Sequence, residues 1–184
     1  MLMSRLKQAT QDQHQEVEAL MPVMQPSLSL EAYARLLRQL QGVVEPLEAR
    51  MMTLTLPAPF GIGLRLKKAS LLMRDLAALP ATLPVRLAPP PLAGVPEALG
   101  ALYVLEGATL GGQVITRHLR RHLGLTPERG GAYFHGYGPD TGRMWQAFGE
   151  AMNRWGAVGE EARVIGGAQM TFRAFGDALR RVPA

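Results

Sequence analysis

The chain has 184 residues, 47% of them hydrophobic and 19% charged, with a formal net charge of +5, which suits one globular domain with a real core. It contains no cysteine, which excludes disulfides, thiolate metal ligands and a cysteine nucleophile and fits a reducing compartment. The positive charge favours an anionic ligand or acidic partner. Aromatic residues make up only 6% and no familiar nucleic-acid motif is present, so nucleic acid is not an expected partner.

The opening MLMSRLKQATQDQHQ turns polar at once, unlike a signal peptide. No uncharged apolar run reaches about 20 residues, so no membrane span is expected and the reading is cytoplasmic. Helical periodicity dominates from there on. Residues 4–20 carry Leu6, Ala9, Gln13, Val17 and Leu20 on one stripe, with Ser4 as the expected N-cap. A second helix over 29–53 opens with Ser29 and Glu31 and carries Tyr33, Leu36, Leu37, Leu40, Val43, Val44 and Leu47; Pro46 is expected to kink or end it. LPAPFGIG (56–63) reads as a turn and 65–79 as a helix. The six prolines from Pro80 to Pro96 mark an irregular connector. A long helix over 97–123 follows, then a loop over 124–140 and helices over 139–155 and 158–181. The expected architecture is a single all-α domain, residues 1–184, of six or seven helices.

Four histidines punctuate this pattern: His14, His118, His122 and His135. His118 and His122 are one turn apart near a helix C-terminus, where they either hold a metal or complement the helix dipole. Lys7, Thr10, His14 and Glu18 are spaced three, four and four, which places them on one helix stripe. Glu18 is one turn beyond His14, where it can orient an imidazole that serves as a ligand; the alternative is a plain solvated face. A di-iron bundle site needs Glu-x-x-His, and no histidine here has glutamate three residues before it. Haem needs only one proximal protein ligand.

The segment EGATLGG (106–112) interrupts an apolar helical run with three glycines, each costing about 1 kcal/mol relative to alanine in a helix interior. Gly107 and Gly111 share a face, and Ala108 and Gly112 widen the bare strip. Either another helix packs closely there, or the backbone approaches a flat ligand.

LKQATQDQHQEVE (6–18) resembles the proximal helix of the haem oxygenases. YVLEGATLGGQV (103–114) resembles their glycine-rich distal helix, especially in bacterial members that make biliverdin for phytochromes. YARLLRQLQGVVEPLEA (33–49), KKASLLMRDLAAL (67–79) and RVIGGAQMTFRAF (163–175) fit the same family in the same order. The resemblance implies a helical bundle with haem between a proximal helix and a kinked, glycine-rich distal helix. It implies that haem is both cofactor and substrate, and that haem, O2 and electrons give biliverdin, Fe(II) and CO. Carried over by position, His14 becomes the axial iron ligand and Glu18 steadies its ring. Lys7 lies near the propionates and Thr10 against the macrocycle. Gly107 and Gly111 bring the distal backbone close to the haem face, Gly112 helps the bend, and Phe172 lines the pocket.

Two departures accompany the resemblance. Ala108 stands where many members carry aspartate, which leaves proton delivery to Thr109, Glu106, backbone groups or a longer water chain. Trp145 and Gly149 fall near positions where some relatives place propionate-binding cations, with Arg143 as a candidate substitute. The resemblance to phytochrome-associated members implies cleavage at the α position and a bacteriophytochrome as biliverdin acceptor. No dinucleotide or flavin motif is present, so electrons are expected from a separate reductase or ferredoxin, with Arg117, Arg120 and Arg121 as one basic docking face. The alternative reading is a haem carrier or sensor that opens no ring.

Overall fold

The computed structural model describes residues 1–83, 85, 87–88, 90–155 and 159–181. The expected start of the last helix at 158 and parts of the proline connector lie outside these residues. Among the described residues every regular element is helical, and the only β-type pairing is a pair of isolated bridges at Thr126.

The first expected helix is two helices, α1 (Leu2–Ala9) and α2 (Gln11–Leu20). Ser4 is not its cap, because the helix begins at Leu2. The break falls at Thr10, whose hydroxyl donates to the carbonyl of Leu6 at 2.8 Å. Such a side-chain bond competes with the helical ladder. The carbonyl of Ala9 at the break accepts from the Gln169 amide at 2.9 Å. The expected Lys7–Thr10–His14–Glu18 stripe is therefore interrupted: Thr10 is buried while the other three are exposed.

Ser29 caps α3 (Leu30–Met52) as expected, accepting from the Ala32 amide at 3.1 Å. Pro46 does not end this helix. Val43, Val44, Leu47 and Met51 around it are all buried, and burying large apolar side chains at about 1.5–3 kcal/mol each outweighs a proline cost of about 3 kcal/mol. The expected helix over 65–79 is present as the shorter α5 (Lys68–Ala77), and a separate one-turn helix, α4 (Ile62–Arg65), precedes it. Gly61 precedes α4 with φ +59, and the expected turn over 56–63 contains a 3-10 turn, Ala58–Phe60.

The long glycine-bearing helix is split into α6 (Val95–Gly107) and α7 (Gly112–Leu123), bent by 45°. The expected loop over 124–140 contains a short helix, α8 (Ala132–His135). Then come α9 (Thr141–Trp155) and α10 (Glu161–Arg180). The described residues thus form ten α-helices rather than six or seven, because two of the expected helices are broken in two, a short helix precedes the one expected over 65–79, and another arises inside a loop.

The bundle is organised around α10, which packs on α6, α2 and α3. Its crossing with α6 is backbone to backbone. A Cβ on Gly167 would stand 2.6 Å from the Glu97 Cα, and one on Gly100 would stand 2.6 Å from the Ala168 nitrogen. These two glycines set how closely the helices approach. No single helix among the described residues is long and apolar enough to cross a membrane; α6 and α7 together pass on length and composition, but across their bend.

Candidate functional site: the cleft between α2 and the α6–α7 bend

The site is built on α2. No residue of this ten-residue helix is fully buried, so it offers a face to something other than the core. Its two ends are tied to the opposite wall. At the start, Thr10 is hydrogen-bonded to the Tyr103 phenol on α6, whose pKa burial pushes up against the pull of that bond. At the end, the Pro22–Met24 turn that follows α2 packs on α7. α2 is thus anchored to α6 at its start and, through the turn that follows it, to α7 at its end.

His14 is the chemically distinctive group of α2. Its side chain is 55% exposed, and Nδ1 lies 3.5 Å from the Glu18 carboxylate. That contact leaves Nε2 facing away as a potential ligand nitrogen. The ring stands edge-on to Phe172 of α10, with centroids 5.8 Å apart and planes at 88°. The structure therefore brings His14, Glu18 and Phe172 together, with Thr10 at the head of the same helix. Lys7 is exposed on α1, on the far side of the break.

The glycines resolve into two kinds. Gly107 is the last residue of α6, Gly111 is the N-cap of α7 and Gly112 its first residue, so none sits in a helix interior. Gly112 has a packing reason: a Cβ there would overlap the Phe134 carbonyl oxygen, with the carbonyl carbon 3.3 Å away. Gly107 and Gly111 have none of comparable force. A Cβ would meet the Trp145 ring at 3.7 Å in one case and only the Ile115 Cδ1 at 3.7 Å in the other, which are ordinary contacts. Close packing against protein does not require these two to be bare.

Leu110 and Val114 are 49% and 52% exposed. Both lie beside Gly111 at the bend, where the chain is bare. This exposed apolar patch suits the flat apolar face of a large ligand. The donor set suits haem, which needs one protein ligand: one accessible imidazole oriented by a carboxylate. Among the described residues no cluster of three or more metal-ligating side chains occurs, so a single-histidine attachment is what these groups can support.

Sequence reasoning missed three features. Tyr103 joins the walls one turn before Gly107, and its spacing from Gly107 was the available signal. Trp145, noted only for lacking a charge, stands over Gly107 and is stacked on Phe148 with centroids 5.8 Å apart. Glu106 is the hub of a buried ionic network behind the bend. It accepts from Arg65, from Lys68 Nζ at 2.6 Å and from the Tyr137 hydroxyl at 2.8 Å. Burial and the Glu106 charge push the Tyr137 pKa up. Arg143 is not brought to His14. It pairs with Asp140 at 3.2 Å and lines a separate cavity whose walls include none of Thr10, His14 or Phe172. His118 and His122 stack with centroids 4.2 Å apart near the end of α7, with no third ligand beside them among the described residues.

Comparison with known proteins agrees with this geometry. The fold is similar to that of the heme oxygenase from Neisseria meningitidis, studied in its NO- and CO-bound forms, with TM-score 0.79 and 24% identity over 98% of this chain and 90% of that one. It is also similar to the heme oxygenase from Leptospira interrogans, with TM-score 0.73 and 18% identity over 97% of this chain and 98% of that one. No individual curated sequence matches significantly. The sequence profile of the family described as Heme oxygenase matches residues 1–83 and 92–181. With a histidine-bearing helix, a bent glycine-bearing helix and a family match over almost its whole length, the chain belongs to the haem oxygenase family.

Proposed function

We propose that residues 1–184 form one haem oxygenase domain that converts haem, O2 and reducing electrons into biliverdin, Fe(II) and CO. The observations that carry this reading are an accessible His14 oriented by Glu18 on a helix tied at both ends to α6 and α7, and the exposed apolar residues Leu110 and Val114 beside a bare Gly111 at the bend between those helices. When bound, haem supplies both the iron at which O2 is activated and the ring carbon that is oxidised.

The chain's own groups do the rest. His14 Nε2 would hold the haem iron, and Glu18, beside Nδ1, would fix the tautomer and ring plane of the imidazole. Phe172 supports that ring edge-on and excludes water from its flank. Thr10 and Tyr103 close the cleft at one end, and Lys7 supplies positive charge outside it for the propionates. Gly107 and Gly111 present backbone alone on the distal side, so no side-chain acid stands there to direct O–O cleavage, and Gly112 holds the bend by its fit against Phe134. Proton supply passes through backbone groups and solvent at the bend, since Ala108 carries no ionisable group. Electrons come from a separate reductase or ferredoxin, with Arg117, Arg120 and Arg121 as its docking face. Cleavage at the α position, a cytoplasmic location and a bacteriophytochrome acceptor complete the proposal, resting on the resemblance to phytochrome-associated members.

Titration of haem into the wild-type chain and into His14→Ala, followed at the Soret band, tests the axial assignment. Wild type is expected to give one-to-one binding with an imidazole-ligated spectrum that the variant lacks. An unchanged spectrum in the variant would reject His14 as ligand.

A further inference from the structure

At the α6–α7 bend lies a half-open pocket of about 350 Å³, lined by α4, α5, the end of α6, residues 108–109, α8 and the start of α9. Its walls share no residue with the His14, Thr10, Gly107, Gly111 and Phe172 group, so it is not the cleft described above. Four cationic side chains line it: Arg65, Lys67, Lys68 and Arg143. Glu106 behind the wall, the buried Glu48 beside Lys68 and Asp140 on the rim oppose them, which leaves four cations against three carboxylates, a surplus of one positive charge. Lys67 forms no ion pair among the described residues.

The hydrogen-bond inventory points the same way. Lys68 is buried, yet Nζ uses two of its three N–H groups, on the Arg65 carbonyl at 3.1 Å and on Glu106. The Tyr133 side chain lines the same cavity and its hydroxyl engages no partner among the described residues. Spare donor capacity in a cationic wall suits an anionic acceptor. The remaining walls are apolar and aromatic, including Leu71, Leu105 and Phe134. The volume is at the small end of the roughly 300–1,000 Å³ typical of ligand pockets, which suits a molecule of one or two rings.

We propose that this cavity binds a small aromatic carboxylate. Its ring lies against Leu71, Leu105 and Phe134, and its carboxylate takes the spare N–H of Lys68 and the hydroxyl of Tyr133. Lys67 and Arg143 close over the rim. Ala108 and Thr109 form part of the wall, so the bound ligand braces the bend from behind.

Isothermal titration of 2-naphthoate into the full chain tests this without reference to haem. The expected result is saturable one-to-one binding, with 2-naphthol, the uncharged analogue at neutral pH, at least about tenfold weaker, equivalent to about 1.4 kcal/mol. The exposed pair Lys67→Glu with Arg143→Glu should weaken naphthoate by about tenfold or more. Tyr133→Phe, which removes only the hydroxyl, should weaken it by a smaller factor while leaving Tm unchanged. Absence of saturable binding, equal affinity for naphthol, indifference to the rim reversals, or displacement of naphthoate by stoichiometric haem would each overturn the proposal.

Discussion

The two kinds of glycine at the bend make opposite predictions for the same substitution. Alanine at Gly112 drives a methyl group into the Phe134 carbonyl, a backbone atom that cannot rotate away. Overpacking of this kind costs about 1–3 kcal/mol. At about 2–4 °C per kcal/mol for a chain of this size, Tm falls by roughly 2–12 °C. Alanine at Gly111 meets only the flexible Ile115 terminus at 3.7 Å, and the backbone there, φ −77 and ψ −9, is right-handed and open to any residue. Replacing glycine where the conformation is compatible stabilises by about 0.4–1 kcal/mol, through the unfolded chain, so Tm rises by roughly 1–4 °C. Circular dichroism melts of the haem-free proteins read both signs, and Soret titration of the same samples reads the cleft. Gly111→Ala should melt higher yet bind haem more weakly, because the added methyl projects toward the ligand face. If both variants melt alike, the distinction between a packing glycine and a ligand-facing one is wrong. If Gly111→Ala binds haem like wild type, the apolar patch at the bend is not the haem face.

Glu106 holds two buried cations, Arg65 and Lys68, so Glu106→Ala should cost about 3–5 kcal/mol; a chemical-denaturation midpoint equal to wild type would contradict the ionic network. Burial pushes the Glu97 carboxyl up, but hydrogen bonds from Arg163 and from the Gly94 amide outweigh it and leave the pKa lowered. A carboxyl lower in the folded than in the unfolded state contributes stability above its unfolded value of about 4.3 and loses it as pH falls through the folded value. Tm should therefore drop less steeply below pH 4 or so in Glu97→Gln than in wild type, and parallel curves would refute the coupling. Turnover driven by an acidic electron-transfer protein should decline as ionic strength rises beyond about 0.1 M, where the screening length is about 10 Å; salt-insensitive turnover would remove the arginines of α7 from the docking face.

What could be read directly from the sequence was local. Ser29 announces α3, the spacing of His14 and Glu18 places the carboxylate beside the ring, and EGATLGG marks the bend. What could not be read depends on partners far along the chain. The α1–α2 break is satisfied by Gln169, 160 residues from Ala9. Gly112 looks interchangeable with Gly111 until the Phe134 carbonyl arrives from α8. Pro46 is a helix breaker by propensity, yet the burial of its neighbours decides the outcome. Glu106 becomes a hub only when α4, α5 and the Tyr137 segment converge on it, and Arg143 stands on the far side of the bend from His14 because α9 begins beside Asp140.

The most direct test of the central claim is the absorption spectrum of the haem-loaded chain, followed in air with a competent reductant. The account predicts loss of the Soret band with growth of the red absorption of biliverdin, in about one equivalent of product per haem bound. A Soret band that persists while electron delivery is confirmed would contradict it, and would make the cleft a haem-holding site rather than a haem-degrading one.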